Sequence, residues 1–166
     1  MDKGKRFEKT VASLYQQMGF EVETNKMMEG SSGASHEIDI YCSNGSKRIA
    51  IECKCKDKVE KADIAVFILK LDDLKIKEGH VVSESCFSEN AILTAKTYNI
   101  CLVDGKELTK LFKKYGIEYR FSTRLNDPLS YMIRSSVSLL DELLSSKKDF
   151  KPLLNNYLSG VCHGKE

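Results

Sequence analysis

The chain has 166 residues, 42% apolar and 30% charged, enough for one globular domain with a core and unlike the composition of a disordered chain. Its 26 basic and 24 acidic residues leave a net charge of +2, which excludes a uniformly basic nucleic-acid coat but not a local basic patch. The longest apolar run, Ile64–Leu69, is far too short for a membrane span, and the stretch from Met1 to Arg6 leads into no apolar signal segment. Six cysteines without an export signal favour free thiols in a reducing compartment, so the expectation is a cytoplasmic protein with no membrane association.

Phe7, Val11, Leu14, Tyr15 and Met18 recur at helical spacing and Gly19 follows as a stop, which predicts a helix from about Lys5 to Met18. Phe20–Thr24 alternates and reads as a strand. A loop rich in small residues follows, from Glu29 to Ser35. Glu37–Cys42 and Arg48–Lys54 are predicted as antiparallel strands, because Asn44-Gly45 between them is a strong hairpin signal. Lys61–Leu74 is long enough to favour a helix although its apolar content is nearly continuous. His80–Val82 reads as a short strand, and Ser88–Tyr98 as a helix with Ser88 as its N-cap. Ile100–Val103 reads as a buried strand, and Lys106–Lys114 as a helix closed by Gly116. The alternation of helices and strands predicts an α/β layered domain whose later strands are parallel.

The composition shifts near Asn126-Asp127-Pro128. Pro128 suits the first turn of a helix, and Leu129, Met132, Ile133, Val137, Leu140 and Leu144 follow at helical spacing. The expected organisation is a domain over 1–126 and a helical C-terminal extension over 127–166, whose apolar stripe needs burial against the domain or a second subunit.

The sharpest chemical feature is Asp39 on one predicted strand and Glu52-Cys53-Lys54 on the next. Strand alternation sends Glu52 and Lys54 to one face and Cys53 to the other. A hairpin in suitable register sets Asp39 beside them, so two carboxylates and an ammonium share a small volume. Two carboxylates bind a hard divalent cation through oxygen. Such an ion polarises a phosphoryl oxygen and activates water, and a nearby lysine can position or deprotonate that water and offset the charge that develops. The acid-x-Lys triplet alone is not specific, since Asp73-Leu74-Lys75, Asp104-Gly105-Lys106 and Asp149-Phe150-Lys151 repeat it. Only Glu52-Cys53-Lys54 sits within a predicted strand and follows another strand that carries an acid. The bland alternative is a surface salt bridge. Against it, Ile49-Ala50-Ile51 marks a buried strand, and charges at its end require a reason.

The ordered blocks Gly4–Glu8, Gly19–Val22, His36–Ile40 and Ile51–Lys54 resemble those of the PD-(D/E)xK nuclease superfamily, in particular its Mrr-like restriction endonucleases. They are also similar to archaeal Holliday-junction resolvases. Phe87–Ala91, Ala95 and Ile100–Asp104 look like the Mrr-like continuation. The resemblance runs from Gly4 to about Leu108 and implies a restriction-endonuclease-like core, a mixed central sheet flanked by helices. By resemblance Asp39 and Glu52 are metal ligands, Lys54 is the catalytic lysine, and the Cys53 backbone carbonyl is a further ligand. Glu8 completes the metal site directly or through water. Ile38 stands where the family name places proline, and Glu52 where many Mrr-like members carry glutamine. The implied cofactor is Mg2+, with Mn2+ as a substitute. The implied reaction is hydrolysis of a DNA phosphodiester by metal-activated water, leaving a 5′-phosphate and a 3′-hydroxyl. A homodimer that cuts two strands is the expected assembly. A structure-selective junction resolvase is the alternative enzyme, and a catalytically silent DNA-binding or assembly module is the alternative from another class.

Glu37 shares a strand face with Asp39 and reads equally as a further acid behind the site or as a solvated strand end; His36 reads as a loop-end histidine in preference to a substrate contact, and Ser31 and Ser32 read equally as a substrate-approaching loop or a plain linker. The spacing of Cys42, Cys53 and Cys55 is wrong for a zinc knuckle, and they read as small buried hydrophobes. Cys162-His163 lies in the tail. Lys47, Arg48, Lys54, Lys56, Lys58 and Lys61, with Lys3, Lys5, Lys9 and Lys26, are a candidate phosphate-binding rim. Nothing in the pattern supports base-specific reading.

Overall fold

A computed structural model describes residues 2–119. The helix α1 (Lys3–Gln17) is followed by β1 (Glu21–Glu29), β2 (Ser35–Asn44) and β3 (Lys47–Lys54). Then come β4 (Lys58–Val59), α2 (Lys61–Asp73), β5 (Glu78–Ser83), β6 (Cys86–Phe87), α3 (Glu89–Thr97), β7 (Cys101–Val103) and α4 (Gly105–Lys114). The main sheet has the order β1-β2-β3-β5-β7. Its first three strands are antiparallel neighbours, whereas β5 runs parallel to both β3 and β7. This is the mixed α/β sheet with flanking helices that the sequence predicts. The expected extension over 127–166 lies outside the described residues. Among the described residues no helix is long and apolar enough to cross a membrane.

Two apolar layers sandwich the sheet. Phe7, Val11 and Leu14 of α1 and Leu108 and Phe112 of α4 pack on Ile49, Ile51 and Val82. On the other face Ile64, Phe67 and Leu71 of α2 and Ala91 and Ala95 of α3 pack on Ala50 and Val81. Ile49, Ala50 and Ile51 are all fully buried, as expected for a strand covered on both sides. The polar His80 is also buried, and its Nδ1 lies 2.7 Å from the Tyr15 hydroxyl.

Local signals act largely as expected. Gly45 takes a φ of 62° in the turn between β2 and β3, where Asn44 pairs with Lys47. The Ser88 side chain accepts a hydrogen bond from the Ala91 N–H at the start of α3. Gly116 has a φ of 64° just past α4. The strand β1 extends beyond the predicted Phe20–Thr24, because pairing with β2 carries it through Met28 to Glu29. The two-residue strands β4 and β6 form a separate parallel pair that no sequence periodicity announces.

Candidate active site

The ladder between β2 and β3 is regular from Asn44–Lys47 to Ile40–Ile51 and goes no further. There the alternation of β2 also breaks. Ile40 packs in the α1-side layer and Ile38 in the α2-side layer, although a regular strand sets residues two apart on one face. Across on β1, Asn25 has a φ of 52°. At this splayed end Asp39 Oδ2 accepts the Cys53 N–H at 2.8 Å. The carboxylate thus satisfies a backbone donor of β3 beyond the last ladder pair.

Backbone alternation fixes the neighbouring groups. The Lys54 carbonyl faces β5, accepting the Glu84 N–H at 3.3 Å and the Ser83 hydroxyl at 3.3 Å. The Cys53 N–H and carbonyl therefore face back toward β2 and Asp39. The Cys53 side chain packs on the α1-side layer with Cys55, and Cys42 is buried in the same layer. Burial pushes the Cys42 and Cys55 thiols up to about 12 and the Cys53 thiol well up, so these thiols are packing groups.

Glu52 lies on the opposite face of β3. Its Oε1 accepts from Lys54 Nζ at 2.8 Å and its Oε2 from Lys70 Nζ at 2.9 Å. Lys70 comes from α2 and also donates to the Glu37 carbonyl at 2.9 Å. Burial alone would raise the Glu52 carboxyl, but its hydrogen bonds to Lys54 and Lys70 outweigh it and hold the group below the usual range. Burial likewise opposes the Lys54 charge, yet Glu52, Asp39 and Asp63 more than compensate and hold the ammonium above its ordinary value. Asp39 differs. Burial first, then the charges of Glu52 and Glu8, push its carboxyl up to about 6 against the pull of the Cys53 N–H and Lys70.

The structure therefore brings Asp39, Glu52 and Lys54 together, as the strand pattern predicts. Glu8 on α1 is half-buried and near enough for its charge to act on both Asp39 and Cys53. Among the described residues no three acid, histidine or cysteine side chains already converge on a metal position. The electrostatics nevertheless fit a divalent cation. Asp39 is crowded by two other acids, and the Cys53 carbonyl faces the same gap.

Other candidates take structural places. His36 Nε2 lies 2.7 Å from Asp73 Oδ2. The Ser32 hydroxyl and N–H donate to the Asp73 carboxylate at 2.7 and 2.8 Å, and the Ser31 hydroxyl donates to the Asp73 carbonyl at 2.9 Å. The small-residue loop is thus tied to the end of α2 and is not a free linker. The Asp73 carboxylate sits directly over Gly30, where a Cβ would lie 2.0 Å from its Oδ2 and displace it. Glu37 Oε1 accepts from Asn25 Nδ2. Two members of the expected lysine rim lie away from the site: Arg48 and Lys47 open β3 about 13–17 Å from Glu52. Lys47 pairs with Glu78, Lys56 with Asp63, and Lys26 with Glu23.

Two site neighbours escape sequence reasoning. Lys70 lies 18 positions from Glu52, and only the packing of α2 on the sheet joins them. Glu84, nearly fully buried, receives the Tyr119 hydroxyl, while Lys3 Nζ lies 3.8 Å from its other oxygen. Arg6 stacks over the Tyr119 ring. No spacing signal marks these contacts.

The crystal structure of a protein of unknown function, AF1548, is similar to this chain with a TM-score of 0.66 and 18% identity, over 96% of each chain. Protein VC1899 from Vibrio cholerae is similar with a TM-score of 0.57 and 22% identity, over 67% of this chain but 32% of its own. This chain therefore spans about a third of VC1899. These likenesses show a shared fold. No curated protein matches the chain. The family model of the Mrr catalytic domain, described as restriction endonuclease, matches residues 1–112. With that match over a splayed hairpin carrying Asp39, Glu52 and Lys54, the chain belongs to the Mrr-type restriction endonuclease family, and its domain is a nuclease domain.

Proposed function

We propose that the chain is a Mg2+-dependent DNA endonuclease of the Mrr-like restriction type, with Asp39, Glu52 and Lys54 at its centre. The observation that carries this reading is the crowding of half-buried carboxylates beside a charged lysine. Burial first, then the charges of Glu52 and Glu8, raise Asp39 to about 6, and a divalent cation would relieve the part that comes from the neighbouring charges. Asp39, Glu52 and the Cys53 carbonyl would hold the ion, with Glu8 directly or through water. When bound, Mg2+ or Mn2+ supplies Lewis-acid polarisation of the phosphoryl oxygen and a water of lowered pKa.

The chain's own groups have distinct duties. Lys54 stays protonated beside Glu52, so it offsets charge growing on phosphorus rather than acting as a base. The Cys53 N–H fixes the Asp39 carboxylate at the mouth of the splayed strands. The nuclease unit is assigned to 1–126, and the extension 127–166 to dimerisation, on its sequence pattern.

The test is incubation of the full chain with plasmid, linear duplex, methylated duplex and four-way junction DNA, in Mg2+ or chelator. Mg2+-dependent cutting of duplex is expected. Cutting confined to junctions would move the assignment to a resolvase, and binding without cutting to a silent module. Sedimentation that shows a monomer both before and after truncation at Asn126 would contradict the dimer.

A further inference from the structure

Lys70 is only 17% exposed, and its ammonium has two acceptors, Glu52 Oε2 and the Glu37 carbonyl, each at 2.9 Å. Lys54 occupies the other oxygen of Glu52. Both oxygens of the proposed ligand are thus engaged by the protein's own cations, and no three ligand side chains among the described residues converge. A divalent ion held by Asp39 and Glu52 would therefore meet a Glu52 carboxylate already shared with two ammonium groups. The two lysines are not equivalent in that exchange. Lys54 lies two residues from Glu52 on the same strand face and moves with it. Lys70 belongs to a separate helix and keeps the Glu37 carbonyl when Glu52 turns away, so it gives up one bond and retains one.

We propose that Lys70 is a tethered counter-ion that neutralises Glu52 in the cation-free protein and yields that carboxylate to the incoming divalent ion. Lys70 is then a positioning residue that sets metal affinity from outside the ligand set. This rests on the metal-site reading of Asp39 and Glu52. A hydrogen bond to a charged group, once removed from the competition, changes affinity by about ten- to a hundredfold.

The test is direct Mn2+ binding to the full chain without DNA, by calorimetry and by the electron paramagnetic resonance signal of free Mn2+. Lys70→Met is expected to bind Mn2+ about ten- to a hundredfold more tightly than the native chain, with a larger rise in melting temperature on adding Mn2+. Lys70→Arg, which keeps the charge, is expected to stay within a few-fold of native. Lys70→Gln serves in place of Lys70→Met if that variant fails to fold. Unchanged or weaker binding in the charge-removing variant would overturn the proposal and make Lys70 a prop for Glu52. The two readings fail differently. If Asp39→Asn binds Mn2+ as the native chain does, or no chain binds it, the metal site itself is wrong and the Lys70 proposal falls with it. If Asp39→Asn loses Mn2+ while Lys70→Met gains nothing, only the Lys70 proposal falls.

Discussion

Asp39 on β2 and Asp73 at the end of α2 are the same residue type in opposite electrostatic states. Asp73 at the end of α2 accepts the Ser32 hydroxyl, the Ser32 N–H and His36, and these hydrogen bonds hold its carboxyl down to about 2. Asp39 has one backbone donor and is pushed up to about 6 by burial and by its acidic neighbours. A carboxylate satisfied by donors closes a turn. A carboxylate crowded by other carboxylates leaves charge unanswered, and that is the chemistry a cation site needs.

The largest expected effect separates the two in catalysis. Asp39→Asn should lower the rate of DNA cleavage ~10³-fold or more, and Lys54→Ala ~10²-fold or more, by loss of ion binding and of charge stabilisation. Asp73→Asn should stay within about tenfold of native. Initial rates on a supercoiled plasmid measure all three, and an equal loss in Asp39→Asn and Asp73→Asn would break the distinction.

Stability should separate them in sign. The Asp39 carboxyl is raised from 3.8 to about 6, so between these values the folded state holds more proton than the unfolded state. Its ionisation therefore costs stability progressively as pH rises through that window. In chelator, Asp39→Asn should be more stable than native by about 1–3 kcal/mol at pH 8, with the gap closing toward pH 4. Urea unfolding across that range measures it. A gap independent of pH would mean that the crowding is not electrostatic.

Asp73 runs the other way. Its carboxyl is depressed from 3.8 to about 2, so its stabilising contribution is present above the unfolded value and is lost as pH falls through about 2. Asp73→Ala should lower the melting temperature at neutral pH and expose the Ser32 N–H to faster hydrogen exchange. The smallest effect is expected from Gly30→Ala, which should speed exchange at Ser32 by displacing the Asp73 carboxylate without removing it. Unchanged exchange in both variants would show that this carboxylate does not hold the turn.

Much of the site was legible because it is local. Asn44-Gly45 fixes the hairpin register, and alternation along β3 then sorts Glu52 and Lys54 from Cys53. Glu8 entered through the family resemblance, and the fold places it near Asp39. The rest was illegible for physical reasons. Lys70 reaches Glu52 only through the packing of α2, and a lysine inside a helix gives no periodic signal. The lysine rim looked continuous in sequence, but strand length spreads Lys47 and Arg48 away from Lys54. The duty of His36 and Ser32 is hidden because nothing in their own segment reveals the Asp73 carboxylate, 37 and 41 positions away.

The central claim is that Asp39 with Glu52 forms a cation-dependent cutting site. It is tested most directly by plasmid cleavage with the native chain and Asp39→Asn, each in Mg2+ and in chelator, with circular dichroism to confirm that both are folded. The account predicts cutting only by the native chain in Mg2+. Equal cutting by folded Asp39→Asn, or by the native chain in chelator, would contradict it.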